Sequence, residues 1–521
     1  MKFIQGKSRA QTFLFPVSLD QSISPDNEVH LIDLFVDSLP LRKYGFKMEF
    51  TENGRPCYHP SFLLKLFIYG YLNKVRSSRD LEKECKRNIE VMWLLHCLKP
   101  DHNTISNFRR DNNKAIKKVF RATVEIAKNF DLIGGKLIAG DSTKFRAQNS
   151  KKNNYNQKKI DRHLGYIDNK LDSYQSELAQ NDGDKEYIKH IHEEIGNQEE
   201  RKDKYNQLEQ QLNETGQEQI STSDPESRQM VIRNNITEVA YNTQASVDSK
   251  YYIPIDYKVT NENDSKAMGN MLRRAKTILR DNNFISLYDK GYHTGSEFNI
   301  AHALGINVLV AIPAVAAQAP DPKYNVEVFF YDKQRDCYIC PQNQELRTTG
   351  KIHKAKTYDF KRYTTKACMN CPVKKDCSKA KYGKAIQRSE YQELIDLNKK
   401  RIENNKQQYR QRQSIVEHPF GTIKRQWGFS YILTKKGIGR AESDVGFMFI
   451  AYNLRRIINI LGYEIFAKYL ANILSHSLGI YGQLLAILKQ FAEPKNLANI
   501  YCNNFSYSLN QIKLAYNYIK F

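Results

Sequence analysis

The hydrophobic pattern changes period twice along the chain. Between residues 60 and 112 it is helical. In PSFLLKLFIYGYLNKV, Leu63, Leu64, Phe67, Ile68 and Leu72 recur at helical spacing behind Pro60, a residue suited to a first helical turn. SSRDLEKECKRNIEVMWLLHCL repeats the spacing, with Ser77 or Ser78 as its cap. PDHNTISNFRRDN predicts a turn, a cap at Asp101 or Asn103, and a short helix ending in Arg109-Arg110. Short helices with a basic last member suit a helix-turn-helix array that contacts DNA; an ordinary bundle with a charged rim is the plainer alternative.

From residue 157 to 215 the apolar steps alternate between four and three, through Ile160, Leu164, Ile167, Leu171, Tyr174 and Leu178. That is a heptad seam. Asn181-Asp182-Gly183 interrupts it, and Ile188, Ile191, Ile195, Tyr205 and Leu212 resume a similar pattern, which predicts an antiparallel helical hairpin. Beyond STSDPESRQM the period shortens again. EVAYNTQASVD and YYIPIDYKVT alternate and are rich in β-formers, and DSKAMGNMLRRAKTILRD is helical. FISLYDKGY is a strand running into a glycine turn, SEFNIAHALG is a helix closed by Gly305, and INVLVAIP is a buried strand. With the apolar run Leu137-Ile138-Ala139 ahead of the hairpin, the order is that of a mixed α/β domain.

Composition adds partners and compartments. A chain of 521 residues suggests two to four units around at least one sizeable core. Its 80 Lys and Arg against 57 Asp and Glu give a net charge of +23. Such an excess favours polyanions, nucleic acid first, with an anionic membrane surface as the rival. No stretch approaches the ~20 apolar residues of a spanning helix. The N-terminus, MKFIQGKSRAQTF, has no apolar core of a secretory signal, so a cytoplasmic protein is expected. Five of the nine cysteines lie between Cys337 and Cys377, a cluster that reads as metal binding before disulfides.

Two of the strands end alike. KLIAGDSTKFRAQNS delivers Asp141 after an apolar run, and FISLYDKGYHTG delivers Asp289, with Gly291 permitting a sharp exit. Strand ends are where α/β domains gather site residues. Two such carboxylates invite a third, because a divalent-metal pair needs several oxygen ligands. Glu417 in YRQRQSIVEHPFGTIKRQWG is the candidate. Lys399–Arg440 holds 11 Lys and Arg against 2 Asp and Glu. A lone carboxylate there opposes the local field unless a metal cation sits beside it. Arg410, Glu417 and Lys424 recur every seven residues, near one face of a helix that Pro419 would kink, or break at His418. Taken separately, each acid also suits a cap or a surface ion pair.

With these segments in order, the sequence resembles bacterial insertion-sequence transposases of the DDE class. It looks most like the group with an InsH-type N-terminal helical domain. The resemblance runs from about residue 14 to 460 and rests on HPSFLLKLFIYGYLNKVRSSRDLEKECKRNIEVMWL, KPDHNTISNFRR, GDSTKFRAQNS, YNTQASVDSKYYI, YDKGYHTGSEF, VEHPFGTIKRQWG and AYNLRR. It implies a ribonuclease-H-like catalytic domain, with Asp141, Asp289 and Glu417 at the family's three acidic positions. It also implies Tyr409, Arg412, Glu417 and Lys424 as the signature around the glutamate. The glutamate-to-lysine step of seven fits. The usual arginine-to-glutamate step is four and here it is five, which leaves Arg410 or Arg412 open as the phosphate-binding arginine.

The implied chemistry suits the residues. Phosphodiester transfer needs an activated oxygen nucleophile and a stabilised leaving oxygen, and two metal ions about 3.5–4 Å apart serve both. Asp141 would bridge them, and Mg²⁺ or Mn²⁺ fits a site of carboxylates, water and phosphate oxygens. Lys424 and a nearby arginine would hold DNA phosphates, with Arg109 and Arg110 as further DNA contacts. Trp427, Tyr292 and His293 are candidate DNA contacts or packing residues.

The pairs CYIC and CMNCPVKKDC supply Cys337, Cys340, Cys368, Cys371 and Cys377, a thiolate-metal pattern for which tetrahedral Zn²⁺ is favoured, with an iron–sulfur cluster or free thiols as alternatives. By resemblance the ligands are Cys340, Cys368, Cys371 and Cys377, and Cys337 is the odd one out.

The reading is therefore an N-terminal helical DNA-binding domain over 1–130, a ribonuclease-H-like domain over 131–460 and a C-terminal helical tail over 461–521. The helical hairpin (157–215) and a Cys-rich segment (314–386) are insertions in the middle domain. The function expected is a DDE transposase that binds inverted-repeat ends and target DNA as a homodimer, cleaves and transfers strands, and associates with the nucleoid. A non-catalytic DNA-binding relic, or a metal-dependent nuclease without strand transfer, is the alternative.

Overall fold

The apolar run after Pro60 is too broad for one stripe, and the helix it forms, Pro60–Leu72, is buried on every side. Its one charge, Lys65, is met by Asp33 and Asp37 at 2.6 and 2.8 Å. This helix belongs to a computed structural model that describes residues 18–48, 56–180, 185–233, 236–314, 319–355, 357–434 and 436–475. The chain folds as two compact units. Among the described residues, one comprises those up to Phe130, those of Phe145–Tyr241 and those from Thr422 on; the other comprises those of Asp131–Lys144 and Asn242–Gly421.

In the first unit, Ser78–Arg87, Ile89–Leu94, His102–Asp111 and Asn113–Asn129 follow the buried helix. Asp101 is the cap, accepting the Asn103 and Thr104 amides at 2.9 and 3.0 Å. The helix Ile438–Leu461 is buried through its middle, Ser443–Leu454, and packs on Asn113–Asn129 and Pro60–Leu72. Among the described residues no single helix is long and apolar enough to cross a membrane. The hairpin consists of Gln157–Gln180 and Lys185–Thr215. Ile160 packs with Leu212, as an antiparallel seam requires, while Lys202 reaches Asp168 at 2.7 Å. The turn expected at Asn181-Asp182-Gly183 and most of the tail expected over 461–521 lie outside the described residues.

The main sheet is mixed. Its strands are β1 (Leu137–Arg146), β4 (Arg228–Arg233), β5 (Ile236–Asp248), β6 (Pro254–Thr260), β7 (Ile285–Tyr288) and β8 (Asn307–Val310); β2 (Asn154–Tyr155) and β3 (Ile220–Ser221) form a separate short ribbon. The order is β4-β5-β1-β7-β8, with β6 also on β5. β1, β7 and β8 run parallel, while β4 and β6 are antiparallel to β5. This mixed α/β arrangement, with its N-terminal helices, is compatible with a ribonuclease-H-like domain. At the β8 edge the buried Asn398 side chain accepts the Val310 amide and donates to its carbonyl, at 3.0 and 2.9 Å, closing ladder positions that would otherwise stay open.

The Cys-rich segment makes a second, antiparallel sheet of β9 (Phe330–Asp332), β10 (Cys337–Ile339), β11 (Glu345–Lys354), β12 (Asp359–Thr364) and β13 (Ile386–Ser389). Its small core is Phe329, Tyr338, Leu346, Tyr363 and Ile386.

Candidate active site

β1 and β7 pair in parallel, Leu137 with Ile285, Ile138 with Ser286 and Ala139 with Leu287. The same register carried two residues further sets Gly140 opposite Tyr288 and Asp141 opposite Asp289. Gly140 is needed there: a Cβ on it would lie 2.1 Å from the Tyr288 ring. The buried ring thus lies against the middle of β1, which continues to Arg146, while β7 stops at Tyr288; the two aspartates follow side by side.

Each carboxylate is steadied by a backbone amide that follows it closely in the chain. Asp141 Oδ1 accepts the Ser142 amide at 2.7 Å, and Asp289 Oδ1 accepts the Gly291 amide at 2.8 Å. Asp141 Oδ2 takes Arg412 Nη1 at 3.1 Å, from the helix Lys406–Gly421. That helix is anchored one turn earlier, where the Tyr409 hydroxyl donates to the Tyr288 carbonyl at 3.0 Å. Burial pushes the Asp141 carboxyl up to about 6; Arg412 and the Ser142 amide oppose this, and the charge on Asp289 adds to it.

A third carboxylate, Asp264, lies beside the pair. Its Oδ1 accepts Asn242 Nδ2 and Gln244 Nε2 at 2.8 and 2.7 Å, and its Oδ2 faces Lys144 Nζ at 3.4 Å. A Cβ on Gly291 would lie 3.0 Å from Asp289 Oδ1 and 3.7 Å from Asp264 Oδ2, so Gly291 lets the two carboxylates share one small space. Burial opposes the charge on Asp264, but Lys144 and the amide and hydroxyl donors outweigh it and hold the group below its usual range. Sequence reasoning missed this residue: within DSKAMGNMLRRAKTILRD it reads only as the start of a helix. The Tyr292 ring is buried and its hydroxyl donates to Gln244 Oε1 at 2.5 Å, so it packs within the site; the His293 ring packs edge-on against Phe298.

Glu417 does not join this group. It is exposed and accepts Gln413 Nε2 at 2.9 Å. The reason is the step of five. Residues five apart on a regular α-helix point about 140° apart. Tyr409, Arg412 and Val416 therefore turn inward, while Arg410, Gln413 and Glu417 turn outward. Of the two candidate arginines, Arg412 reaches the aspartate and Arg410 is exposed. The helix does not break at His418, whose ring stacks on Tyr252 at 5.1 Å; Pro419 stays inside it. The α-helix ends at Gly421, and Thr422–Gln426 form a π-helical turn, so the seven-residue face expected to link Glu417 to Lys424 does not continue as regular α-helix. Lys424 Nζ lies over the Phe145 ring at 5.4 Å, and Trp427 packs against Phe429.

The two N-terminal arginines differ. Arg110 is on the surface, paired with Asp111 at 2.5 Å. Arg109, expected as a DNA contact, is buried: Nη1 donates to the Tyr71 hydroxyl at 2.9 Å and to the Arg76 carbonyl at 3.1 Å, and lies 3.7 Å from Asp444 Oδ1. Its guanidinium serves the interior.

In the Cys-rich sheet, Cys337 is buried within β10, while Cys340, Cys368, Cys371 and Cys377 are partly open. Burial raises the Cys377 thiol, Lys384 opposes this, and Cys368, Cys371 and Cys340 add to it, so the four thiols bear on one another. Gly383 approaches so closely that a Cβ there would lie 2.2 Å from Cys368 Cβ. As they stand, no three His, Cys, Asp or Glu side chains among the described residues form a set that could hold a metal ion, here or at Asp141 and Asp289. The donor chemistry nevertheless suits the groups expected: hard carboxylate oxygens at Asp141 and Asp289, soft thiols in the sheet.

Comparison with known families gives two matches. Residues 17–111 match a transposase domain (DUF772), and residues 339–458 match a transposase DDE domain. The second match contains Glu417 and the helix bearing Arg412; Asp141 and Asp289 lie outside it. No curated protein matches the chain.

Proposed function

We propose that the chain, whose residues 17–111 and 339–458 match transposase domains, is an insertion-sequence transposase of the DDE class that binds the ends of its element and cleaves and transfers DNA strands there. The observation that carries this reading is the emergence of Asp141 and Asp289 from adjacent parallel strands, with Arg412 between that sheet and its helix. Asp141 and Asp289 would hold Mg²⁺ or Mn²⁺, with Glu417 as third acid once the helix presents it. The metal supplies activation of the attacking oxygen and charge neutralisation at the leaving oxygen. The chain's own part is to fix the two carboxylates by the Ser142 and Gly291 amides and to place cationic side chains for phosphates. Arg110, Arg410 and Lys424 fill that second role together with Arg412. Two copies would act on paired ends.

The test is a gel shift and a nicking assay on the same element-end DNA, with and without Mg²⁺. Asp141→Ala is expected to bind as well as the parent and to lose on the order of a thousandfold or more in nicking rate. Near-parental nicking would remove Asp141 from the site, and a parent that never cuts with either metal would favour the non-catalytic reading. The Cys340, Cys368, Cys371 and Cys377 thiolates would hold one structural Zn²⁺, and elemental analysis of protein purified under reducing conditions checks it.

A further inference from the structure

The site at Asp141 and Asp289 already contains a cation, and it is part of the protein. Arg412 gives Asp141 a single bond, Nη1 to Oδ2 at 3.1 Å. A guanidinium has five N–H donors and pairs most strongly with a carboxylate through two parallel bonds, so this grip is partial. Neither side chain is sealed in: Arg412 is 18% and Asp141 24% exposed. The single positive charge faces two neighbouring carboxylates, each of which has its Oδ1 on a backbone amide, Ser142 or Gly291. A divalent ion that takes Asp141 through Oδ2 competes with Arg412 for that oxygen, and it brings twice the charge. The two cations cannot share that oxygen without strong repulsion.

We infer that Arg412 is the resident counter-cation of Asp141 in the free protein, displaced by a divalent metal ion and thereby released to take a DNA phosphate. The inference rests on the proposed reading of Asp141 as a metal ligand. The exchange needs no movement of the helical turn that carries Arg412, which the Tyr409 bond to the Tyr288 carbonyl holds against the strand that delivers Asp289. Only the long Arg412 side chain changes partner. Metal and DNA then help one another: metal frees the guanidinium that DNA uses, and by reciprocity DNA that captures the guanidinium vacates the metal's oxygen.

The experiment is a Mn²⁺ titration of the full chain without DNA, followed by electron paramagnetic resonance, on the parent, Arg412→Gln, Arg412→Lys and Asp141→Asn. Removing the competitor in Arg412→Gln is expected to tighten Mn²⁺ binding by about tenfold, a gain of about 1.4 kcal/mol. Arg412→Lys keeps a charge without the planar fork and is expected to fall between. In a parallel gel shift, Mn²⁺ should raise the parent's affinity for DNA severalfold and leave that of Arg412→Gln nearly unchanged. Mn²⁺ binding by Arg412→Gln and Arg412→Lys that is equal to or weaker than the parent's, in chains with parental thermal melts, would overturn the exchange. Asp141→Asn binding Mn²⁺ as tightly as the parent would overturn the ligand assignment itself, a failure distinct from the first.

Discussion

Two of the aspartate–arginine sites among the described residues look alike on paper and behave oppositely. In the helical unit Asp444 is fully buried and saturated: the Tyr71 hydroxyl, Arg76 at 2.8 Å and the Leu433 amide at 2.7 Å all donate to it, with Arg109 at 3.7 Å behind them. Burial opposes its charge, yet Arg76 and Arg109 outweigh burial and hold its carboxyl below the usual range. In the sheet unit Asp141 has one guanidinium bond, one amide and a neighbouring carboxylate, and its carboxyl is pushed up to about 6. A carboxylate that serves the fold is given more donors than it needs. One kept for an incoming cation is left short, and the fold carries the cost.

The largest expected effect breaks the saturated site. Asp444→Asn leaves Arg76 and Arg109 buried without their counter-charge, and should cost about 3–5 kcal/mol of stability. Chemical denaturation of the full chain checks it, and a loss under 1 kcal/mol would show that the network is not what holds these helices.

The next effect is a pH dependence confined to the unsaturated site. Asp141 has a folded value of about 6 against an ordinary 3.8. Between those two the folded chain binds more protons than the unfolded one. The stability this group contributes is therefore complete below its ordinary value and lost as pH rises through the folded one. Without metal, the parent should lose on the order of 3 kcal/mol more than Asp141→Asn between pH 4 and 7. Parallel melts of the two proteins across that range decide it; identical slopes would mean that Asp141 is not strained in the fold.

The smallest effect separates neighbouring arginines. Arg110→Gln should leave the melt unchanged, weaken DNA binding a fewfold and reduce its salt slope by about one. Arg109→Gln should do the reverse, lowering stability with no change in slope, because its charge is spent on Asp444 and Tyr71. Equal salt slopes for the two variants would erase the distinction between buried and displayed cations.

Much of this was legible in the amino-acid order. Period alone distinguishes the Ile160–Leu212 seam, because burial of one face demands it; Pro60–Leu72 and β5 were legible from their apolar and β-forming residues, though the fold buries both of their faces. The strand-end placement of Asp289 was also readable, since β7 stops at Tyr288; Asp141, expected at a strand end as well, lies in the middle of β1, which runs on to Arg146. What one dimension cannot hold is which side chains meet. Arg109 and Arg110 are adjacent and equally basic, yet one is interior because Asp444, more than three hundred residues away in the chain, lies against it. Asp264 has no local signal because its neighbours, Asn242, Gln244 and Lys144, come from other strands. Glu417 is the clearest case: its identity and setting point to the site, but a step of five on a regular helix turns it 140° from Arg412. Residue types and local periods follow from short-range sterics and solvation, which the sequence carries in full. The pairing of charges depends on long-range packing, and only the folded chain decides it.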